Sequence, residues 1–132
     1  MFLLDTDICI FWLRQSSEAV VARLEAIDPR KLGVTAITVA ELYYGARHSS
    51  RPDENLESTA ELLDLLQAFA FNTAAAMHYA EIKQHLVSRG AMIGHMDLLN
   101  AAIARASGWT FVTNNTREFE RVPGLQIENW TQ

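Results

Sequence analysis

MFLLDTD, residues 1–7, contains the two features that decide the fold: a short apolar run and an acid at its end. Four apolar residues that stop at an acid are typical of a buried parallel strand, here Met1–Leu4. Asp7 is placed to cap a helix over the apolar stretch Ile8–Leu13. An acid that ends a buried first strand has no routine structural duty, so Asp5 is a candidate functional residue.

Strand and helix patterns alternate along the rest of the chain. Further strands are predicted at Leu32–Thr35, Phe69–Asn72, Thr110–Thr113 and, at an edge, Leu125–Glu128. Helices are predicted at about residues 18–27, 38–47, 54–67, 74–89 and 95–107, the second of them opened by a Thr38–Glu41 capping box. This alternation predicts a three-layer α/β fold around a mostly parallel sheet of four or five strands. No repeat or linker divides the chain, so residues 1–132 are predicted to form a single domain.

The composition fits a soluble globular domain, with 132 residues of which 49% are hydrophobic and 20% charged. The single cysteine, Cys9, excludes an intramolecular disulfide and suits the reducing cytoplasm. The N-terminus lacks the basic region of a signal peptide, and no apolar run approaches the ~20 residues that span a bilayer. We therefore expect a cytoplasmic protein. The net charge of −5 argues against non-specific binding of nucleic acid by the whole surface, but it permits a local basic rim.

Oxygen-bearing side chains recur where ligands bind in open α/β sheets, beyond the carboxyl ends of the strands. Asp5 and Asn115 follow predicted strands, and Glu41 and Asp97 lie in the first turns of predicted helices. Mg²⁺ and Mn²⁺ prefer oxygen ligands of this kind, so one interpretation is a divalent-metal site. Helix capping would also explain Asp7 and Glu41, and the helix dipole would explain Asp97.

Four segments in order resemble one known family. They are LLDTDICI (3–10), TAITVAELYYGA (35–46), IGHMDLLNAAIA (93–104) and FVTNNTREFERVPGL (111–125). Together they resemble PIN-domain ribonucleases, in particular the VapC toxins of bacterial toxin–antitoxin modules. The resemblance extends from Phe2 to about Trp130 and implies an α/β/α sandwich around a parallel sheet.

The resemblance also implies which residues form the site. Asp5 matches the first family acid, in the motif hhDTxh, where h is apolar; Glu41 matches the second, in hxELxxG, and Asp97 the third, in GxxD. These three would be catalytic and would bind Mg²⁺, for which Mn²⁺ can substitute. Many family members carry a fourth acid where this chain has Asn115, and Glu118 could supply that charge instead, so the fourth ligand stays open.

Further residues are expected to support the site. Thr113 and Asp7 would position ligands or water, although Asp7 also remains a candidate helix cap. Five arginines near the motif segments are candidates for a basic RNA-binding rim: Arg14, Arg47, Arg51, Arg117 and Arg121.

The implied function is metal-dependent hydrolysis of RNA phosphodiester bonds, with tRNA as the favoured substrate. A homodimer and a cognate VapB-type antitoxin are the implied protein partners. One alternative is a phosphatase of the haloacid-dehalogenase type, because Asp5-Thr6-Asp7 after a strand resembles its DxD opening. That family expects a later essential lysine and an acidic pair near the last strand, whereas this chain has only Lys31 and Lys83 and ends that strand in TNNTREF. A catalytically silent binding module is the other alternative.

Overall fold

The computed structural model describes residues 1–132, which form five strands, seven α-helices and a short 3₁₀ turn at Pro29–Lys31. The strands are β1 (Phe2–Leu4), β2 (Leu32–Thr35), β3 (Gln67–Phe69), β4 (Thr110–Val112) and β5 (Ile127–Glu128). The helices are α1 (Thr6–Arg14), α2 (Glu18–Ala26), α3 (Ala36–Arg47), α4 (Pro52–Asp64), α5 (Thr73–Ser88), α6 (His95–Ser107) and α7 (Thr116–Phe119).

All five strands are parallel, in the order β3-β2-β1-β4-β5, so the predicted sheet is confirmed and has no antiparallel member. The first strand of the chain is therefore the central one. Gly33 on β2 lets this strand pack closely between β1 and β3. A Cβ on Gly33 would lie 2.9 Å from the carbonyl oxygen of Gln67 and 3.1 Å from the side chain of Leu3. Since the strands are parallel, the segments that follow β1, β2 and β4 leave the sheet at one edge.

Helices cover both faces of the sheet and enclose two apolar cores. Neighbouring residues of β1 point to opposite faces, as the strand period requires, so Leu3 and Leu4 belong to different cores. The first core includes Ile8, Val20, Leu24, Val34, Leu42 and Trp130, and the second includes Ile82, Leu86, Leu98, Phe111 and Phe119. The predicted three-layer α/β/α arrangement is thus confirmed. No helix combines the length and apolar character that crossing a membrane would require.

The helix starts that border the site differ from the prediction. Asp5, not Asp7, is the N-cap of α1, and its side chain accepts a hydrogen bond from the Thr6 N–H. Asp5 therefore does have a structural duty, contrary to expectation. Likewise α3 begins at Ala36 with Thr35 as its N-cap, so the predicted Thr38–Glu41 capping box is wrong. In both cases the chain passes from strand to helix without a loop, and a polar side chain at the junction becomes the cap, Asp5 just after β1 and Thr35 as the last residue of β2.

The remaining boundaries lie close to the prediction, with one displaced strand. β2 and α6 have the predicted bounds, whereas Asn72 rather than Thr73 caps α5. β3 lies at Gln67–Phe69 instead of Phe69–Asn72. It is an edge strand with largely exposed side chains, so it lacks the apolar pattern by which the interior strands are recognised.

Candidate active site

The carboxyl edge of the sheet brings together acids from three separate segments. Asp5 follows β1, Glu41 lies in the second turn of α3, and Asp97 lies in the first turn of α6. The charges of Asp5 and Glu41 contribute to the raised pKa of Asp97, after burial and a hydrogen bond with Glu118. Asp5, Glu41 and Asp97 therefore lie close enough for their charges to repel one another, and their role as a site stays a prediction.

Asp5 is buried, with 6% of its surface exposed, and both of its carboxylate oxygens are engaged. Oδ1 accepts a hydrogen bond from the Thr6 N–H at 2.8 Å, and Oδ2 accepts one from the Thr113 hydroxyl at 2.7 Å. Burial raises the pKa of Asp5 to about 7, with repulsion from Asp7 adding to it and the two hydrogen bonds opposing it. The side chain is thus fixed in place while its charge stays poorly compensated.

Thr6 and Thr38 position the second acid, Glu41. The Thr6 hydroxyl donates to Glu41 Oε1 at 2.8 Å and lies 3.4 Å from the Thr38 hydroxyl oxygen. Thr6 was not among the predicted site residues, although its place directly after Asp5, within the matched motif, was a usable signal. Glu41 lies in the middle of α3 and caps no helix end. Helix capping, the structural explanation considered for this residue, therefore does not apply.

Asp7 joins the start of α1 to the segment after β4. Its Oδ1 accepts from the Ile8 N–H at 2.8 Å, and its Oδ2 accepts from the Asn114 N–H at 3.0 Å. Burial raises the pKa of Asp7, and these hydrogen bonds oppose that rise. Both oxygens are thus used to hold backbone beside Asp5, which is the geometry of a positioning side chain.

Asp97 lies against Asn115 and Glu118, the two candidates for the fourth position. Asn115 Nδ2 donates to Glu118 Oε2 at 3.1 Å and lies 3.5 Å from Asp97 Oδ2. Burial, followed by the hydrogen bond with Glu118, raises the pKa of Asp97, while the same hydrogen bond lowers the pKa of Glu118. The proton of this pair therefore stays on Asp97. Both candidate residues are present beside Asp97, rather than one replacing the other.

Gly94 lies close against this pair of acids. A Cβ at this position would lie 3.3 Å from Asp97 Oδ2 and 3.9 Å from Glu118 Oε2. The backbone of Gly94 also hydrogen-bonds Glu118. Together with the larger effect of Asp97, this hydrogen bond lowers the pKa of Glu118. The glycine of the matched GxxD motif thus leaves room for the acid that follows it.

The acids at this edge of the sheet are candidate ligands for a divalent cation. No three aspartate, glutamate, histidine or cysteine side chains converge closely enough to form a ready-made metal cage. Their chemistry nonetheless fits, because the pKa values of Asp5 and Asp97 are raised mainly by burial and further by neighbouring acids, and a bound cation would offset the charge of these carboxylates. Mg²⁺ needs only one or two protein carboxylates when water and substrate phosphate complete its shell.

The five arginines predicted for an RNA rim have different surroundings. Arg14 and Glu41 line the same cleft, of about 200 Å³. Arg121 donates to the carbonyl of Met92 at 3.1 Å, whereas Arg51 pairs with Glu54 at 3.5 Å. The other two, Arg47 and Arg117, are exposed and form no ion pair. Only part of the predicted set is therefore both near the acids and unpaired.

Comparison with known proteins places these features in a family. The PIN-domain family model matches residues 2–125. The tRNA(fMet)-specific endonuclease VapC of Shigella flexneri is 38% identical over 130 residues, which is 98% of each chain. Ribonuclease VapC2 of Haemophilus influenzae is 39% identical over 129 residues, covering 98% of this chain and 97% of the relative.

A solved structure agrees with the sequence comparison. The crystal structure of VapBC2 from Rickettsia felis bound to a DNA fragment from their promoter contains a chain with a TM-score of 0.91 and 32% identity, with 98% of both chains covered. These matches favour neither a haloacid-dehalogenase-type phosphatase nor a silent binding module. The chain belongs to the PIN-domain family and, within it, to the VapC group.

Proposed function

We propose that this protein is the toxin of a VapBC toxin–antitoxin module and acts as a metal-dependent endoribonuclease that cleaves tRNA. The observation that carries this proposal is the cluster of Asp5, Glu41 and Asp97 at the carboxyl edge of the sheet. The similarity to a relative named a tRNA(fMet)-specific endonuclease supports tRNA as the substrate. A tRNA substrate in turn implies a cytoplasmic site of action.

The acids divide the work of binding a cation. Asp5 and Asp97 would hold Mg²⁺, or Mn²⁺ in its place, and Glu41 would act through water. When bound, the cation would offset charge on the scissile phosphate and acidify the attacking water. The Thr6 hydroxyl holds Oε1 of Glu41 and leaves Oε2 without a hydrogen-bond partner, so Oε2 is the oxygen free to orient a water molecule.

Asp97 must lose a proton before it can act as a ligand. Glu118 shares a hydrogen bond with it, and Asn115 holds Glu118 in place at 3.1 Å. When Asp97 releases its proton, the Glu118 carboxylate therefore still has the Asn115 amide as a hydrogen-bond donor. We propose that Asn115 and Glu118 together fill the fourth position of the site, and that Thr113 and Asp7 fix Asp5 and the backbone beside it.

The partners follow from the surface and from the relatives. Arg14, Arg117 and Arg121 would contribute most to the RNA-binding rim, and Arg47 and Arg51 would add to it. A VapB-type antitoxin is supported by the VapBC complexes in which related chains were solved. Exposed apolar side chains, Tyr44 at 68% and Met77 at 67%, support burial by a second copy in a homodimer or by the antitoxin.

The decisive experiment compares cleavage of purified tRNA with and without Mg²⁺ or Mn²⁺, beside the Asp5→Asn variant. We expect metal-dependent cleavage that the variant lacks. Hydrolysis of small phosphate esters through a trapped aspartyl-phosphate would instead support the phosphatase. A metal-free preparation shown to take up Mn²⁺ but to cleave neither RNA nor esters would support the silent module.

A further inference from the structure

Asn100 is a buried polar residue that the stability of the fold does not explain. It is fully buried on α6 among apolar neighbours such as Leu98, Ala101 and Ile103. Its Nδ2 is the only buried side-chain nitrogen or oxygen that has no hydrogen-bond partner. An unpaired buried donor opposes folding, a penalty that an apolar side chain of similar size would not carry. The amide is therefore expected to serve something other than packing.

The other end of the amide joins α6 to the start of α3. Asn100 Oδ1 accepts a hydrogen bond from the hydroxyl of Thr35, which is also fully buried. Thr35 ends β2 and caps α3, because its Oγ1 accepts from the Thr38 N–H at 3.1 Å. A hydroxyl has one proton, so Thr35 can accept from Thr38 and still donate to Asn100. One hydroxyl thus connects the two helices.

Each of the connected helices carries an acid of the site. Asp97 lies three residues before Asn100 on α6, a spacing that puts both on one face of the helix. Glu41 lies three residues after Thr38 on α3, and Thr6 approaches both of them, with its hydroxyl 3.4 Å from that of Thr38 and 2.8 Å from Glu41 Oε1. A continuous polar path therefore runs behind the acids from α6 to Glu41.

We propose that Asn100 is a positioning residue that, through Thr35, sets the separation of Asp97 and Glu41 and thereby the affinity of the site for a divalent cation. Asn100 touches neither acid, and it acts by fixing the two helices against each other. The inference rests on the proposed function, since it assumes that these acids hold the cation. Interactions behind metal ligands typically change metal affinity by about 10–100-fold.

The test measures Mn²⁺ binding to the RNA-free protein by calorimetry, together with thermal unfolding of the metal-free protein. Asn100→Leu should melt at or above the wild-type temperature yet bind Mn²⁺ about tenfold more weakly. Thr35→Val should show a similar loss, and Thr35→Ser, which keeps the hydroxyl, should bind like the wild type. The double variant Asn100→Leu/Thr35→Val should bind Mn²⁺ no more weakly than whichever single variant has the lower Mn²⁺ affinity, because each substitution removes the same contact.

Two results would overturn the inference in distinguishable ways. If Asn100→Leu and Thr35→Val bind Mn²⁺ within about twofold of wild type, positioning by Asn100 is wrong and the proposed function stands. If the wild type takes up no Mn²⁺, both fall together. Should Asn100→Leu fail to fold, the pair Thr35→Val and Thr35→Ser decides alone, and equal affinity in these two overturns the inference.

Discussion

Asp5 and Asp97 belong to one cluster of acids but are held in opposite ways. The inner half of the site, Asp5 and Glu41, is fixed by hydroxyl groups of Thr113 and Thr6 that belong to other segments. The outer half, Asp97 with Asn115 and Glu118, is held by a hydrogen bond between two acids, of which Asp97 carries the proton, and by one amide. The inner half is therefore organised before any ligand arrives, whereas the outer half depends on its protonation state.

The largest expected effect is the loss of activity on removing the inner charge. Asp5→Asn should lower the rate of tRNA cleavage by roughly a thousandfold. It should also raise the melting temperature of the metal-free protein at pH 8, because a buried, poorly compensated charge is removed. Asp53→Asn, the same change at an exposed position in the first turn of α4, is the matched control and should leave both quantities near wild type. Equal losses in the two variants would contradict the role of Asp5.

The next effect is on stability as a function of pH. The pKa of Asp5 is about 7 in the folded protein, against 3.8 for the free side chain, so the folded state holds its proton more tightly. The metal-free protein should then lose stability as pH rises from 5 to 8, by on the order of 3 kcal/mol, and the loss should level off above that window. Denaturant unfolding at several pH values measures it. Asp5→Asn should remove the part of the slope that is due to Asp5 and leave the part due to Asp97, whose pKa is also raised. Saturating Mg²⁺ should flatten both parts; a slope unchanged by the variant and by Mg²⁺ would show that its source lies elsewhere.

A smaller effect tests whether the outer half lacks a charge. Asn115→Asp places a carboxylate beside Asp97 and Glu118, which should lower the stability of the metal-free protein at pH 8. It should also tighten Mn²⁺ binding about tenfold, as one more nearby charge would. Asn114→Asp adds the same charge one residue away, on a side chain that faces Asn129 and Thr131, and should give a much weaker gain. If the two variants gained Mn²⁺ affinity equally, the gain would come from the overall charge of the protein and not from the position of Asn115.

The smallest effect concerns the rim beyond both halves. Arg117→Gln removes an exposed, unpaired charge one residue before Glu118 and should raise KM for tRNA only a few-fold, with kcat unchanged. The dependence of binding on salt should become slightly less steep. Arg30→Gln is the control, because Arg30 pairs with Asp28 next to the 3₁₀ turn and lies in none of the motif segments. A fall in kcat would instead place Arg117 in the reaction itself.

The sequence predicted the parts of the molecule that depend on local patterns. The strand Leu32–Thr35 and the helix His95–Ser107 have clear periodicity and clear ends, and both were placed with their observed bounds. Asp5, Glu41 and Asp97 were identified because each stands in a short motif. The edge strand Gln67–Phe69 was displaced because its exposed side chains lack such a pattern.

The supporting contacts could not be predicted in the same way. The bond from Thr113 to Asp5 joins residues 108 apart, and that from Thr35 to Asn100 joins residues 65 apart. Both depend on strand order and on helix packing, which no local pattern determines. For the same reason Asp5 was credited with no structural duty, although it caps α1.

The position of β1 at the centre of the sheet also has a consequence for synthesis of the protein. β1 leaves the ribosome first, but its neighbour β4 and the hydroxyl of Thr113 follow more than a hundred residues later. Asp97 and Glu118 also belong to the last third of the chain. A nascent or prematurely terminated chain therefore contains the first acid without the groups that complete the site. Under the proposed function, a ribosome making this protein is not exposed to its activity until the segments that carry Asp97, Thr113 and Glu118 have been made.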